Sequence, residues 1–197
     1  MAIRKLINKA YYWYLERYVN KPIYRPVHVT IKTIPSPNFF KTQNRQIKAI
    51  VLHATEASSL RSSVNWFKDK ASKASSHFIV DKDGTVVQMV DIDDIAWHAG
   101  KSEWTLQSGE YVNGLNGLSV GIELVNKDDG SEPYPASQVN ACMALVYGLS
   151  KVFNVSRHDV VRHKDIAPGR KLDTNYLDFD TFKKDLSFWQ EKDKACR

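Results

Sequence analysis

Short apolar runs alternate with longer amphipathic stretches between residues 47 and 189, and this alternation constrains the fold more than any other feature of the sequence. The strand-like runs cover residues 48–53, 77–80, 85–90, 118–125 and 159–163. Apolar residues at helical spacing predict helices over residues 136–153 and 179–189, and a third helix, capped by Ser58 or Ser59, that extends to about residue 70. Asp83-Gly84 lies between two strand-like runs and predicts a β-hairpin. The pattern indicates an α/β fold, with a single mixed β-sheet flanked by helices.

The N-terminal segment carries most of the positive charge. Residues 1–48 hold ten Lys or Arg and one acidic residue, whereas the rest of the chain holds 18 basic and 21 acidic residues. Residues 2–19 have apolar side chains at helical spacing, which predicts an extra amphipathic helix that ends before Pro22 and Pro26. This helix either packs on the body of the protein or presents a basic, aromatic surface to an anionic partner, and a solvated helix face is the simpler alternative. We expect residues 1–33 to form this helix and an extended linker, and residues 34–197 to form the main domain.

Composition excludes several classes of protein. Hydrophobic residues make up 43% of the chain and charged residues 25%, which excludes a disordered chain. No apolar run approaches the roughly 18 residues of a membrane span, so we expect no membrane insertion. Two cysteines are too few for a disulfide framework, and Cys142 is expected to be a core thiol. Glu16 and Arg17 interrupt the apolar region that a signal peptide needs, which predicts synthesis in the cytoplasm without standard export.

Two of the six histidines, His53 and His163, end strand-like runs, at the rim where α/β proteins build their sites. Asp173 follows ten residues after His163, and the intervening Pro168-Gly169 pair predicts a turn that folds it back. Two imidazoles and a carboxylate are the ligand set of a catalytic zinc site, because they leave a fourth position open. On spacing alone this signal is weak, because a histidine at the end of a strand is usually structural.

Six segments resemble the zinc-dependent N-acetylmuramoyl-L-alanine amidases of the type 2 family. They occur in the family's order over residues 34–175 and are Ile34–Phe39 (IPSPNF), Ile50–Thr55 (IVLHAT), Ser76–Thr85 (SHFIVDKDGT), Ala96–Gly100 (AWHAG), Ser119–Asn126 (SVGIELVN) and Arg162–Asp173 (RHKDIAPGRKLD). The resemblance implies the type 2 amidase fold, shared with peptidoglycan recognition proteins, and one zinc ion held by His53, His163 and Asp173.

The resemblance also implies roles for residues around the metal. The family's acidic catalytic residue falls on Glu123, where a carboxylate can take a proton from water and pass one to the leaving amine. Lys171 matches a lysine that stabilises the oxyanion, the alternative being a surface lysine.

The resemblance places two further residues in the substrate groove. Trp97 would stack on a sugar and His98 would hydrogen-bond the substrate; the alternatives are a core tryptophan and a structural histidine. Some family members have a catalytic Tyr where this chain has Ser76, so acid–base chemistry is expected to rest on Glu123, with His77 in a supporting or structural position.

Three functions remain open at this stage. The first is a zinc amidase that cleaves the amide between N-acetylmuramic acid and L-alanine in peptidoglycan. The basic N-terminal segment favours a phage-type endolysin that acts on the cell wall after release, over a cytosolic muropeptide-recycling amidase. The second is a non-catalytic peptidoglycan-binding module, which is expected to lack a metal ligand. The third, nucleic-acid binding, is disfavoured because the body of the chain is slightly acidic. The sequence leaves the oligomeric state open.

Overall fold

A six-stranded mixed β-sheet organises the computed structural model, which describes residues 31–195. Ten strands occur in this part of the chain: β1 (Ile31–Thr33), β2 (Phe39–Phe40), β3 (Ala49–Ala54), β4 (Phe78–Val80), β5 (Val86–Gln88), β6 (Ile95–Ala96), β7 (Glu103–Thr105), β8 (Tyr111–Asn113), β9 (Ser119–Leu124) and β10 (Val160–Arg162). The order across the main sheet is β1-β5-β4-β9-β3-β10. Only the β4–β5 pair is antiparallel in it. The two small antiparallel ribbons are β2–β6 and β7–β8.

Four α-helices accompany the sheet within the described residues: α1 (Leu60–Lys68), α2 (Ala136–Phe153), α3 (His163–Ile166) and α4 (Phe179–Ala195). Short 3-10 helices occupy Lys70–Ser72 and Leu115–Leu118. The Ser59 hydroxyl caps α1 by accepting the N–H of Ser62, because the first N–H groups of a helix have no partner within it. The three helices predicted between residues 58 and 189 are confirmed, with α4 extending beyond its predicted end.

Apolar side chains cover both faces of the central strands. Along β3, Ile50 and Leu52 pack in one cluster with residues of α2 and α4, whereas Val51 packs in another with Val161 and Ile166. Successive strand residues point to opposite faces, so a strand buried on both sides is apolar throughout. This explains why β3 and β9 appear in the sequence as continuous apolar runs. Cys142 is fully buried in α2, as predicted, and burial raises the pKa of its thiol to about 12.

The turn between β4 and β5 confirms the predicted hairpin. Gly84 takes a positive φ of 90°, and the Asp83 carboxylate accepts the N–H of Thr85. A side chain at Gly84 would also come within 3.1 Å of the Ser137 carbonyl oxygen, at the start of α2. Glycine is therefore required here both by the turn and by the helix packed against it.

Some local predictions needed correction. The segment between the predicted N-terminal helix and the first predicted strand, for which no strand was expected, contains β1 and β2 in its described part. The last strand ends at Arg162, and His163 begins α3 instead of ending the strand, because Asp165 accepts the Arg162 N–H and draws the chain into a helical turn. The predicted helix over residues 2–19 lies outside the described residues, and the domain boundary after residue 33 stays a prediction. No helix among residues 31–195 is long and apolar enough to cross a membrane.

Candidate metal centre and active site

Two neighbouring parallel strands place His53 and Glu123 side by side. The residues are direct register partners on β3 and β9. Register partners in a sheet project to the same face, so the imidazole and the carboxylate both enter the same cleft. Only 2% of His53 and 7% of Glu123 is exposed to solvent. The sheet thus fixes an acid beside a histidine before any loop contributes.

The strand on the other side of β3 supplies the second histidine. β10 pairs with β3, with Arg162 opposite Leu52, and His163 follows as the first residue of α3. Arg162 donates two side-chain hydrogen bonds to Asp165, which holds the junction between strand and helix. The His163 ring lies edge-on to the His53 ring, with 4.4 Å between their centroids.

The loop after α3 folds back and brings Asp173 to both histidines. Its Oδ2 atom lies 3.1 Å from Nδ1 of His163 and 3.4 Å from Nδ1 of His53. The Asp173 carbonyl oxygen accepts the N–H of Lys164. Gly169 has a positive φ of 72°, consistent with the turn predicted from Pro168-Gly169. Beyond Asp173, the Asp128 carboxylate accepts the N–H groups of residues 175 and 176 and holds the loop in place.

These three side chains form a set that fits a metal ion. One ligand atom from each of His53, His163 and Asp173 lies within 4.8 Å of the others, and all three residues are buried. The second carboxylate oxygen of Asp173 is buried and has no hydrogen-bond partner among the described residues. Such a buried orphan oxygen is explained if the carboxylate binds an ion. Two imidazoles and one carboxylate are a ligand set of catalytic zinc and leave a fourth position open.

Burial sets the protonation states of the site. It lowers the pKa of His53 to about 4, even though Asp173 raises it, so the ring is neutral at neutral pH. Burial alone would raise the pKa of Asp173, but hydrogen bonds from His163 and His53 outweigh it and hold that pKa well below its usual range. A neutral imidazole and an ionised carboxylate are the forms that bind metal.

The pKa of Glu123 shifts in the opposite direction, upward. Burial raises the pKa of its carboxyl well above its usual value, the charge of Asp173 raises it further, and Lys171 opposes both. A carboxyl with a raised pKa holds a proton more readily than an ordinary carboxyl, which suits a group that must both accept and return one. The position beside the candidate metal ligands and the raised pKa both suit a general acid–base group.

A cleft of about 170 Å³ opens over these residues. Its lining includes the three predicted metal ligands and Glu123, together with the half-buried Lys171. The wall is aromatic: Trp97 lies in it with its ring centroid 5.0 Å from that of the exposed Phe40, and Trp66 is 57% exposed. The β2–β6 ribbon sets Phe40 beside Trp97. The floor of the cleft is therefore lined by polar and charged side chains, and its wall presents flat apolar rings.

His98 lies deeper than its predicted role suggests. Only 8% of the residue is exposed, and burial lowers its pKa well below the ordinary value. Its Nδ1 lies 3.0 Å from Nε2 of His53, and its Nε2 lies 3.3 Å from the Ser119 hydroxyl. Both ring nitrogens are thus engaged within the protein. The proposed substrate contacts of Trp97 and His98 stay predictions.

His77 lies behind the site and is fully buried. Its Nδ1 accepts the N–H of Gly121, and burial, followed by the charge of Arg45, lowers its pKa to about 3.

Trp66 was not predicted to line the site, although the sequence carried a signal for it. Leu60, Val64 and Phe67 form the apolar face of α1, and Trp66 lies off that face, where a large exposed aromatic residue suggests binding.

Comparison with known proteins agrees with this geometry. The family model described as N-acetylmuramoyl-L-alanine amidase matches residues 43–175. N-acetylmuramoyl-L-alanine amidase AmiD of Escherichia coli is 33% identical over 146 residues, which are 67% of this chain and 50% of AmiD. 1,6-anhydro-N-acetylmuramyl-L-alanine amidase AmpD of Haemophilus influenzae is 30% identical over 112 residues, 56% of this chain and 57% of AmpD. The chain thus spans about half the length of these curated relatives.

Solved structures share the fold. A complex of E. coli AmiD with the substrate anhydro-N-acetylmuramic acid-L-Ala-D-γ-Glu-L-Lys superposes with a TM-score of 0.63 at 28% identity, covering 73% of this chain and 60% of that one. A mutant endolysin from Bacillus subtilis superposes with a TM-score of 0.60 at 23% identity, covering 80% and 99%, a likeness that shows the fold alone. The mixed sheet, the helices around it and the match over residues 43–175 establish that the chain belongs to the N-acetylmuramoyl-L-alanine amidase family.

Proposed function

We propose that the chain is a zinc-dependent amidase that cleaves soluble anhydro-muropeptides at the amide between the lactyl group of N-acetylmuramic acid and L-alanine. The observation that carries the proposal is the buried cluster of His53, His163 and Asp173, with Glu123 in register beside the first histidine. A non-catalytic module would be expected to lack a metal ligand, whereas this chain has all three residues of the predicted ligand set.

The substrate is chosen from the relatives and not from the charge of the chain. The basic N-terminal segment favoured a phage-type endolysin acting on polymeric wall. AmiD and AmpD, at 33% and 30% identity, support the alternative of a muropeptide amidase, and the name of AmpD specifies a 1,6-anhydro sugar. The endolysin match is too distant to support more than the fold.

The metal and the protein divide the chemistry. When bound, zinc would polarise the scissile carbonyl and lower the pKa of the attacking water. His53 and His163 would hold it through Nδ1, since these atoms face Asp173, at 3.4 and 3.1 Å. The carboxylate of Asp173 would complete the set and offset the positive charge. All three residues are buried and line the cleft, so substrate and water would approach the ion through it.

Glu123 moves the proton. Its carboxylate accepts a proton from water as the water attacks the amide carbon, and the same carboxyl group then donates it to the nitrogen of the departing L-alanine. The proton leaves on the product amine, so Glu123 ends the cycle as a carboxylate again. Burial favours this shuttle, because it raises the pKa of Glu123 and so stabilises the protonated form that the shuttle passes through.

Lys171 and the aromatic wall act on the substrate itself. The lysine lines the cleft two residues before Asp173, and its positive charge already acts on Glu123. A fixed cation there would stabilise the negative charge that develops on the carbonyl oxygen. Trp97 and Trp66 would pack against the apolar faces of the sugar or the peptide stem, which positions the amide over the metal ligands.

The test compares two substrates under one assay. Purified protein is given anhydro-N-acetylmuramyl peptide or intact sacculi, and new amino termini and new reducing ends are measured. We expect new amino termini from the soluble substrate without new reducing ends, loss on chelation, recovery with zinc and loss in Glu123→Gln. Glu110→Gln is the matched control, since Glu110 pairs with Lys48 at the surface. Cleavage confined to sacculi would contradict the substrate assignment, and a zinc-loaded, folded protein inactive on both would contradict the enzyme.

A further inference from the structure

We infer that His98 and Ala99, the second and third residues after β6, fix the tautomers in which both histidine ligands bind metal, with the His98 side chain acting on His53 and the Ala99 carbonyl acting on His163. The inference rests on the proposed metal centre. It assigns His98 a positioning role in place of the substrate contact expected from the sequence. Each step follows from which atom can donate and which can only accept.

The assignment for His163 is direct. Its Nε2 lies 3.3 Å from the carbonyl oxygen of Ala99. A carbonyl oxygen only accepts, so this contact favours a proton on Nε2. When a metal ion takes the place of the proton that Nδ1 shares with Asp173 at 3.1 Å, the neutral imidazole keeps its proton on Nε2 and has its lone pair on Nδ1. The Ala99 carbonyl therefore leaves His163 ready to bind metal through Nδ1.

The assignment for His53 passes through two further side chains. The Ser119 hydroxyl donates its single proton to the Leu115 carbonyl at 2.7 Å. Its oxygen must therefore accept from Nε2–H of His98, 3.3 Å away. The Nδ1 of a neutral His98 is then an acceptor, and it receives Nε2–H of His53 at 3.0 Å. With metal bound, His53 therefore keeps its proton on Nε2 and has its lone pair on Nδ1, the atom that lies 3.4 Å from Asp173.

The segment is itself held in place from both sides. The Asn116 side-chain oxygen accepts the N–H of His98 at 3.1 Å and that of Ala99 at 2.7 Å. On the preceding residue, the Trp97 N–H donates to the Ser75 hydroxyl, and the Trp97 carbonyl accepts the Ser75 N–H. These bonds leave the segment little freedom to withdraw from the two histidines.

Gly121 allows the ring of His98 to lie where the network needs it. A Cβ atom at residue 121 would lie 2.4 Å from Cγ of His98, well inside van der Waals contact. The close approach of strand and ring is thus possible only without a side chain. With both ring nitrogens occupied, His98 has no free donor or acceptor in its ring for a substrate.

The direct test is ¹⁵N NMR of the histidine side chains in the full chain, metal-free and zinc-loaded, because the ring shifts report which nitrogen carries the proton. Without metal, the Asp173 carboxylate favours a proton on Nδ1 of both rings, so the zinc-loaded protein decides the question. There we expect His53 and His163 in the Nε2–H form, with Nδ1 bound to zinc. In Ser119→Ala, His98 loses its acceptor, so we expect the ring signals of His98 to show a mixture of tautomers. Binding of zinc through Nε2 of His53 or His163 in the unaltered protein would overturn the inference.

A matched pair of variants tests the effect on the metal. His98→Asn keeps an oxygen acceptor near the position of Nδ1, whereas His98→Leu has a similar shape without one. Zinc affinity, measured by competition with a chromophoric chelator, should fall 10- to 100-fold in His98→Leu and recover largely in His98→Asn. Equal affinities in the two variants would overturn the inference, and thermal melts of both establish that each is folded. Neither NMR nor zinc affinity uses substrate, so this inference can fail while the proposed amidase activity holds, and the reverse.

Discussion

Replacing Gly121 by alanine should damage both the fold and the metal centre. The added methyl group would meet three atoms of the His98 ring at 2.4 to 2.8 Å. The ring has little room to retreat, because the rings of His53 and His77 lie edge-on to it at 5.1 and 5.7 Å. Ser119 engages its far nitrogen. The strand or the ring must therefore move.

The size of the effect follows from the cost of overpacking. Forcing an extra methyl group into a well-packed interior costs about 1–3 kcal/mol. For a chain of this length, each kcal/mol lowers the melting temperature by roughly 2–4 °C, so we expect a fall of about 2–12 °C. Displacing His98 from His53 should also weaken zinc binding by about 10- to 100-fold.

Gly148 offers a matched control. It lies within α2, and a Cβ there would meet nothing within 4 Å. Alanine in place of a helical glycine stabilises by roughly 0.5–1 kcal/mol, so the same chemical change should raise the melting temperature by about 1–4 °C. Thermal melts and zinc competition are measured on both variants. A Gly121→Ala protein as stable as Gly148→Ala, with unaltered zinc affinity, would refute the packing argument.

Three further predictions concern charged and titrating groups. Glu123→Gln should lose about 10²- to 10⁴-fold in activity. Because the pKa of Glu123 is raised in the folded protein, the wild type loses stability as the pH rises above the ordinary pKa of a glutamate. In urea unfolding of metal-free protein, the free energy of unfolding of the variant should therefore rise relative to that of the wild type, by up to about 1.4 kcal/mol per pH unit. An unchanging difference between pH 5 and 8 would argue against a raised pKa. His77 has its pKa lowered to about 3, so its unfolded form binds a proton below pH 6.5 and its folded form does not, and stability should fall by up to about 1.4 kcal/mol per pH unit on acidification. His77→Asn should show a shallower fall in the same urea titration, and an equal slope would exclude this origin. Lys171→Met should lower kcat by roughly 10²- to 10³-fold with a melting temperature close to that of the wild type, whereas unaltered kcat would make the residue a surface lysine.

The sequence was informative where burial or backbone geometry leaves few alternatives. Strands β3 and β9 are covered on both faces, so they had to be continuous apolar runs. The Asp83-Gly84 turn needs a residue with positive φ, and few residues provide it. The closeness of His53 and His163 could be anticipated, because neighbouring parallel strands end at one edge of the sheet, whereas the predicted set of three metal ligands came from the resemblance to the family.

Other features depend on contacts that no local pattern encodes. The β7–β8 ribbon is short and largely exposed, so it lacks a strong apolar alternation. The position of His98 depends on Ser119 and Asn116, which are about 20 residues away in the chain. The expectation of an endolysin came from the charge of residues 1–48, and net charge informs on association and solubility more than on which bond a site cleaves.

The most direct test of the amidase account is the appearance of free L-alanine amino termini from purified anhydro-N-acetylmuramyl peptide. The zinc-loaded protein, a chelated sample and Glu123→Gln would be compared at equal concentration. The account predicts stoichiometric release of the peptide by the zinc-loaded protein alone, with the sugar intact. Equal release by Glu123→Gln, or release unaffected by chelation, would contradict it.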